Sequence, residues 1–463
     1  MLSRFFSLSL LLLICTFSHA QNKIFSYPFE LGATAPLLGQ FENIQQKSNI
    51  VEHPNSTEFC MALQNNRKVE YILLDSNFKV MKKVVPDENN SLLSKPGSLL
   101  GYSGGTVSGK KYNYIYHHQR RFYMETVDFA SKTVTNKPLP ELPKDENFII
   151  SFSDNNIHYV LSSSNKANEL IVNIVNDKGE TSRKNIPLKV PEVVSRKRAG
   201  FAMYLKDCMI IHNDGSTDNK IQSNPVKLYC QKDKFNLVIN DAGNPTRIIT
   251  LSLPDFQSTE KTVDYTDILS DKEKEDAHIS SFLRAGQLHS LVSNSKMISI
   301  VTHDHQTGKL LNKYEIKSSM DIISLATVPV TSTYRDVLVE AKEVNSAKNL
   351  IKEFDVSTNW IEVTENDARQ LVVTPYSITY GTSNGMYANY PYYKVTCFQV
   401  ILDSSTFSIA DGDVETKAQR INAYTQKIKY SRATNQFSMW NNQYYGYYNN
   451  DTRSYVVEQL EIQ

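Results

Sequence analysis

The sequence predicts an all-β protein made of repeated four-stranded antiparallel units. Three observations predict it. Short runs rich in β-branched and aromatic residues fill the chain, a turn signal recurs at near-constant spacing, and amphipathic helical stretches are nearly missing. The runs include the alternation Arg67, Val69, Tyr71, Leu73, then Arg121 to Val127, Ile157 to Leu161, Met297 to Val301 and Tyr393 to Leu402. Asn, Asp, Ser, Gly and Lys separate them. One short helix is expected near Ser270 to Ala277, where Ser270 and Glu273 have capping-box spacing.

The turn signal is an apolar strand that ends in Asp, a few polar residues, and a second strand. It occurs at Asp75, Asp128, Asp177, Asp255, Asp304, Asp355, Asp403 and, more weakly, Asp451. The separations are 53, 49, 78, 49, 51, 48 and 48 residues. Asp suits the place because its carboxylate accepts backbone N–H groups two residues on and closes the turn. The one long interval contains the segment between Cys208 and Cys230, which reads as an insertion near 205–232. Around Asp304 the strands parse as Ile279 to Leu283, Gln287 to Val292, Met297 to Thr302 and Lys309 to Ile316. Four short strands per repeat of about fifty residues is the pattern of a β-propeller blade, with the Asp turn joining its third and fourth strands. Eight hairpins predict eight blades in a single domain over 21–463. Seven is the alternative if one hairpin belongs to an insertion or to a shared closing blade. Gln21 to Leu31 is the candidate for a strand that closes the ring.

The segment Asn176-Asp177-Lys178-Gly179-Glu180-Thr181 resembles the Asp-box of sialidase-type propellers, with Asp, Gly and Thr at matching offsets. Val175 stands where that motif has Ser, and Ser182 where it has Trp. Asp304-His305-Gln306-Thr307-Gly308 resembles the looser Asp-x-x-Thr-Gly turn of secreted propellers. The resemblance is to secreted β-propeller repeat proteins in general. It implies a fold and no activity.

Residues 1–20 read as a secretory signal. Arg4 precedes an apolar run from Phe5 to Phe17, and Ser18-His19-Ala20 supplies small residues before a cut at Gln21. That places the protein in a secreted location: extracellular, periplasmic or cell-surface. No later run reaches membrane-spanning length, so integral membrane insertion is not expected. The full chain has 50 Lys+Arg and 49 Asp+Glu. Losing Arg4 with the signal leaves 49 against 49, a formal charge of zero, which argues against nucleic acid as a partner. If the host glycosylates, Asn55-Ser56-Thr57, Asn89-Asn90-Ser91 and Asn450-Asp451-Thr452 are acceptor sequences.

Four cysteines then remain, Cys60, Cys208, Cys230 and Cys397. They allow two disulfides or four buried thiols. Cys208 and Cys230 bracket a turn-rich stretch and are candidates to face each other across a hairpin.

Chemistry-bearing motifs are sparse. His303-Asp304-His305 is the one close His/acid cluster, and it straddles a turn. Asp214, Ser216 and Asp218 alternate like the opening of a Ca²⁺ loop but lack its glycine and distal Glu, and Asp411, Asp413 and Glu415 form a second acidic cluster; both read as polar loops, with weak Ca²⁺ binding as the alternative. Ser103-Gly104-Gly105 with Ser108 lacks the helix a phosphate cradle needs. No metal site, cofactor or catalytic set is assigned. The positive signal is aromatic. Tyr376, Tyr380, Tyr387, Tyr390, Tyr392 and Tyr393 cluster in one unit, and Trp440, Tyr444, Tyr445, Tyr447 and Tyr448 in the last. Rigid amphipathic rings among Asn, Ser and Gly suit a binding surface. The expected binding residues are Tyr380, Tyr387, Tyr390, Tyr392, Trp440 and Tyr445. The expected function is an exported, non-enzymatic binding or scaffold protein that engages a protein or glycan. The alternative is a secreted carbohydrate-active hydrolase or lyase.

Overall fold

The computed structural model describes residues 22–29, 47–65, 68–87, 90–93, 100–164, 169–188, 205, 208–211, 225–231, 234–240, 245–253, 255–320, 325–335, 337–355, 358–384, 389–415, 420, 423, 432–440 and 442–460. The signal segment, Tyr387 and the loop of Asp214 to Asp218 lie outside them. The chain divides into two compact units, residues 1–187 with 423–463, and residues 188–422.

The first unit opens with strand β1 (Asn22–Pro28). Three antiparallel four-stranded sheets follow. They are β2 (Lys47–Glu52), β3 (Phe59–Gln64), β4 (Val69–Leu74) and β5 (Val80–Val84); β6 (Gly101–Ser108), β7 (Lys111–His118), β8 (Arg121–Asp128) and β9 (Thr133–Pro138); and β10 (Glu146–Asp154), β11 (Ile157–Ser164), β12 (Glu169–Val175) and β13 (Thr181–Pro187). Sequence explains the position of each strand in its sheet. Every residue of β3 and β4 is buried, and they read FCMALQ and VEYILL. The outermost β5, β9 and β13 read VMKKV, TVTNKP and TSRKNIP and are almost wholly exposed. Lys, Thr and Pro on the outer strand leave an edge poorly suited to further pairing.

In the second unit β14 (Met209–Ile211), β15 (Val226–Gln231), β16 (Lys234–Ile239), β17 (Thr246–Ser252) and β18 (Ser258–Val263) form a five-stranded sheet. Helix α1 (Asp271–Glu275) follows. At its start the Ser270 N–H and hydroxyl both donate to Glu273, at 3.1 and 2.8 Å, as the capping-box spacing predicts. Next come β19 (His278–Arg284), β20 (Gln287–Asn294), β21 (Met297–Asp304) and β22 (Leu310–Lys317), which match the four strands expected around Asp304. The last sheet combines β23 (Val330–Arg335), β24 (Val337–Glu343), β25 (Asn359–Glu365), β26 (Leu371–Asn384), β27 (Asn389–Cys397) and β28 (Val400–Leu402). Helix α2 (Ala347–Phe354) lies between β24 and β25, with Ala347, Leu350, Ile351 and Phe354 buried. The sequence reading missed it. Its apolar residues do recur at i, i+3, i+4 and i+7, but Asp355 directly after them reads as a strand turn, and its cap, Ser346 accepting the Asn349 N–H at 3.3 Å, has no Glu to complete a box.

The chain then returns to the first unit as β29 (Arg432–Met439), β30 (Asn442–Asn449) and β31 (Ser454–Gln459). Strand β1 pairs antiparallel with β31, from Asn22 opposite Gln459 to Pro28 opposite Ser454. The expected N-terminal strand therefore exists and completes the sheet β29-β30-β31-β1. It is also tied to the neighbouring sheet. Tyr27 donates to Glu70 at 2.8 Å, and Lys68 and Lys83 pair with the same carboxylate at 2.8 and 2.7 Å. Burial pulls the Glu70 carboxyl up, but these three partners hold it below its ordinary value. Phe25, Phe59, Ile72, Tyr444, Tyr455 and Val457 form the core between the two sheets. Within this unit each sheet meets the next along first strands: β29 against β2, β2 against β6, β6 against β10.

The described residues thus form seven sheets in a β-rich, propeller-like architecture. The turn signals explain why eight were counted. Five of them, at Asp75, Asp128, Asp177, Asp255 and Asp304, lie between the third and fourth antiparallel strands of a sheet, and Asp403 follows β28 in a turn closed by a single bridge from Leu402 to Ile409. Asp75, Asp128, Asp304 and Asp403 accept backbone N–H groups as expected. At Asp177 the neighbouring Asn176 does this instead. Asp355 caps the end of α2 rather than a strand. Asp451 lies one hairpin earlier in its sheet, between β30 and β31, because β1 supplies the fourth strand.

No disulfide joins the described cysteines. The register gives the reason for the expected pair. Strand β14 runs parallel to β15, with Met209 opposite Lys227, so the segment is not a hairpin. Continued by one residue, the register sets Cys208 beside Val226. Cys230 is four residues further along, about 13 Å at strand rise and beyond the reach of a bridge. The insertion expected near 205–232 contributes β14 as the extra strand of its sheet.

Candidate functional site

Strand β26 is fourteen residues long and belongs to two pairings. Its first half pairs with β25 and β28, the part that carries the Asp403 turn. Its second half pairs with β27, and β27 in turn with β23, so the sheet widens beyond a four-stranded unit. Directly opposed residues share a face. Trp360 opposes Tyr376, which opposes Cys397. Ile378 opposes Val395, which opposes Ser332, and Tyr380 opposes Tyr393, which opposes Tyr334. One face therefore carries a ladder of aromatic and aliphatic side chains.

The ladder grades from buried to open. Trp360 and Tyr376 stack with centroids 4.6 Å apart and planes at 8°. Tyr334 and Tyr393 stack at 5.0 Å and 12°. Tyr380 lies 6.5 Å from Tyr393 and is 69% exposed, whereas Trp360 is 6% exposed. Offset ring pairs of this kind stabilise beyond their buried area, so the inner rows hold the outer one rigid. At the buried end the Tyr376 hydroxyl lies 3.4 Å from Glu362, and burial pushes the proton affinity of both groups up. No acidic or basic side chain stands among Ile378, Tyr380, Val395, Tyr393 and Tyr334.

The opposite face is polar. Thr331 and Thr396 share a hydrogen bond at 2.8 Å. Tyr392 lies across Gly381 so closely that any Cβ there collides with its ring. Of the expected binding residues, Tyr380 is thus the exposed end of the ladder, and Tyr392 packs on the other face. Tyr390 pairs by its backbone with Ser383. Trp440 and Tyr445 belong to the first unit. Trp440 sits at positive φ in the β29–β30 turn with its ring edge-on to Phe59 at 5.7 Å, and Tyr445 is 7% exposed. Both are occupied by core packing. The sequence reading left out Trp360 and Tyr334. They are remote in sequence from the tyrosine cluster, and only the strand register brings them to it.

Other candidates resolve into structure. Asp304 accepts from the N–H groups of Gln306 and Thr307 and from the Thr307 hydroxyl, His305 bonds to the Gly286 carbonyl, and His303 is buried against Tyr265. Among the described residues no group of three His, Cys, Asp or Glu side chains is placed to hold a metal ion. Ser103 is the extra residue of a β-bulge between Tyr102 and Gly104, and its hydroxyl pairs with His117 Nδ1 at 2.7 Å. Ser153 pairs with His158 at 2.9 Å in the next sheet, where burial lowers His158 to about 3 and keeps it neutral. Repetition in consecutive sheets marks a packing device. A cleft of about 430 Å³ in the second unit is lined by Glu275, Asp276, His278, Ser295 and Asp355.

Among solved structures the chain is similar to the AfRom2 CNH domain, at 7% identity over 96% of this chain and 99% of that one, with a TM-score of 0.32. It is similar to the Dos1 propeller at 10% identity over 76% of each chain, TM-score 0.27. A third likeness is to AofleA from Arthrobotrys oligospora, at 8% identity over 85% and 90%, TM-score 0.26. Likenesses at this level carry no argument about activity. No protein family and no curated protein matches the sequence. No helix among the described residues is long and apolar enough to cross a membrane.

Proposed function

We propose that the chain is an exported, non-enzymatic binding or scaffold protein, and that the aromatic ladder ending at Tyr380 engages a protein or glycan partner. The observation that carries this is the ladder itself. Stacked rings rise through the sheet and end in an open tyrosine at an uncharged surface. Such rings bind with little loss of conformational freedom because their neighbours already fix them. The seven sheets support reading the fold as one propeller of seven blades, with β1 closing the last blade. Single-particle imaging of the full chain tests that count.

Export is supported by the leader-like first twenty residues. N-terminal sequencing of secreted protein should begin at Gln21. Binding is tested with full-length protein on a glycan array and in capture from its native surroundings. Tyr380→Ala with Tyr393→Ala should abolish capture while circular dichroism and melting stay close to those of the parent. Undiminished capture by this variant discards the ladder as the site.

A further inference from the structure

Lys227 lies at the seam between two sheets of the second unit and is 1% exposed. Its Nζ, on β15, bonds to the Ser281 carbonyl oxygen and approaches the Ser280 hydroxyl at 3.2 Å, both on β19. Behind them is a cluster of neutral hydroxyls. Thr246 meets Tyr265 at 2.7 Å, and Tyr265 and Ser281 each meet Ser290 at 2.9 Å. No described carboxylate bonds to Lys227. The acids on neighbouring elements have their own partners, Glu260 with Arg247 at 2.8 Å and Asp264 with Lys274 at 3.2 Å.

Among the described residues the other titratable groups on the packed elements supply Lys227 no counter-ion. On β15, Tyr229 has its hydroxyl accepting the Leu283 N–H, and Cys230 is half-buried. Strand β16 brings Lys234 and β19 brings His278 and Arg284 at its ends. Arg284 reaches Glu365 at 3.2 Å, and His278 lines the cleft with Asp276 and Asp355. On β20, His289 is fully buried and neutral. A neutral amine satisfies this seam, since it donates to the carbonyl and shares a hydrogen bond with Ser280. An ammonium brings a third donor and a full charge into an interior whose described residues supply no anion.

We infer that the β15–β19 seam is an acid-sensitive latch, closed around neutral Lys227 and loosened when that residue takes up a proton. Burial alone pushes the Lys227 amine down to about 7 from an ordinary value of 10.5. The lysine of an opened seam binds its proton up to the ordinary value, that of the closed seam only below about 7. Between the two, opening takes up one proton, so acidification favours it by up to about tenfold per pH unit. Below about 7 the closed seam carries the charge too, and the dependence flattens.

Amide hydrogen exchange of the full chain, corrected for intrinsic rates, tests this. From pH 9 to pH 7, opening measured in Val226–Gln231 and His278–Arg284 should rise by about one order of magnitude per unit and then level off. Lys227→Met should remove that dependence in these peptides. Equal pH dependence in the variant, or a flat wild type, overturns the latch. If the variant fails to fold, NMR titration of isotope-labelled lysine in the wild type decides. A resonance absent from Lys227→Arg that titrates near 7 supports the latch, and the lack of any lysine titrating below about 9 overturns it.

Discussion

The two units use the same four-stranded sheet in different ways. In the first unit three sheets are plain meanders with a Lys- or Thr-rich outer strand, and the fourth takes its outer strand, β1, from the start of the chain. In the second, a parallel strand is added to one sheet, and the last sheet is extended by β23, β24 and the second half of β26. The aromatic ladder spans that extension. A four-stranded sheet buries its best side chains against neighbouring sheets, as Trp440 and Tyr445 show. In the added part, rings such as Tyr380 stay open, at 69% exposure. Additions to the repeat, rather than the repeat, are where binding chemistry is sought.

The buried ionisable groups differ as well. In the first unit Glu125 is fully buried, with donors from the Tyr71 and Ser91 hydroxyls and from the Leu92 N–H at 2.7 Å. Burial pushes its carboxyl up to about 8 against the pull of that N–H. In the second unit burial pushes Lys227 the other way. Acid therefore favours the closed surroundings of Glu125, and alkali those of Lys227.

The largest expected effect is on the first unit alone. Deleting residues 22–29 removes Phe25 and Phe29 from the core and bares the edge of β31. Each buried phenylalanine stabilises by about 1.5–3 kcal/mol, so exchange protection in β2, β3, β30 and β31 should be lost while β19–β22 keep theirs. Equal loss in both units would break the division between them. Phe354→Ala is the counterpart in the second unit. It empties a fully buried place on α2 and should cost about 3–5 kcal/mol, read by denaturant melting with protection lost first around α2, β20 and β21.

Next in size is the effect of pH. An unfolded Glu125 ionises near 4.5 and the folded one near 8. The stabilisation is complete below the lower value and is lost as pH rises through the upper one, by up to about 1.4 kcal/mol per unit. Glu125→Gln should flatten this loss in chemical denaturation between pH 5 and 8. A slope that survives assigns the linkage elsewhere. Ser346→Ala should cost about 1 kcal/mol, the value of a lost helix cap, seen as faster exchange in the first turn of α2. Tyr380→Ala should change stability by less than about 0.5 kcal/mol, because the ring is largely in water, and its effect should appear in partner capture.

Much of the fold was legible because several of the sheets close a turn by the same means. A short carboxylate or amide side chain caps backbone N–H groups, and that chemistry leaves a regular mark at Asp75, Asp128, Asp304 and Asp403. The count of turn signals and the count of described sheets part where another element used the same residue type. Asp355 ends a helix, and an aspartate there reads like one in a turn. The final sheet hid its fourth strand at the other end of the chain. The candidate site was half legible. Tyr380 stood in a dense tyrosine cluster, but Trp360 and Tyr334 join it only through strand register, which local composition does not encode. The parallel pairing that separates Cys208 from Cys230 is non-local in the same sense.

Strand β1 also sets an order of assembly. Ser26 and Ser454, hydroxyl to hydroxyl at 3.2 Å, are 428 residues apart in sequence. A chain emerging N-terminus first holds Phe25 and Tyr27 without their sheet until nearly all of it has been made. The second unit, continuous from 188 to 422, contains all its own strands and is free to form earlier. Contacts this distant in sequence are slow to close. The first unit is thus the last to complete its sheets, and a chain whose two ends have not yet joined should be cut by protease at β1 and β31 more readily than the finished one.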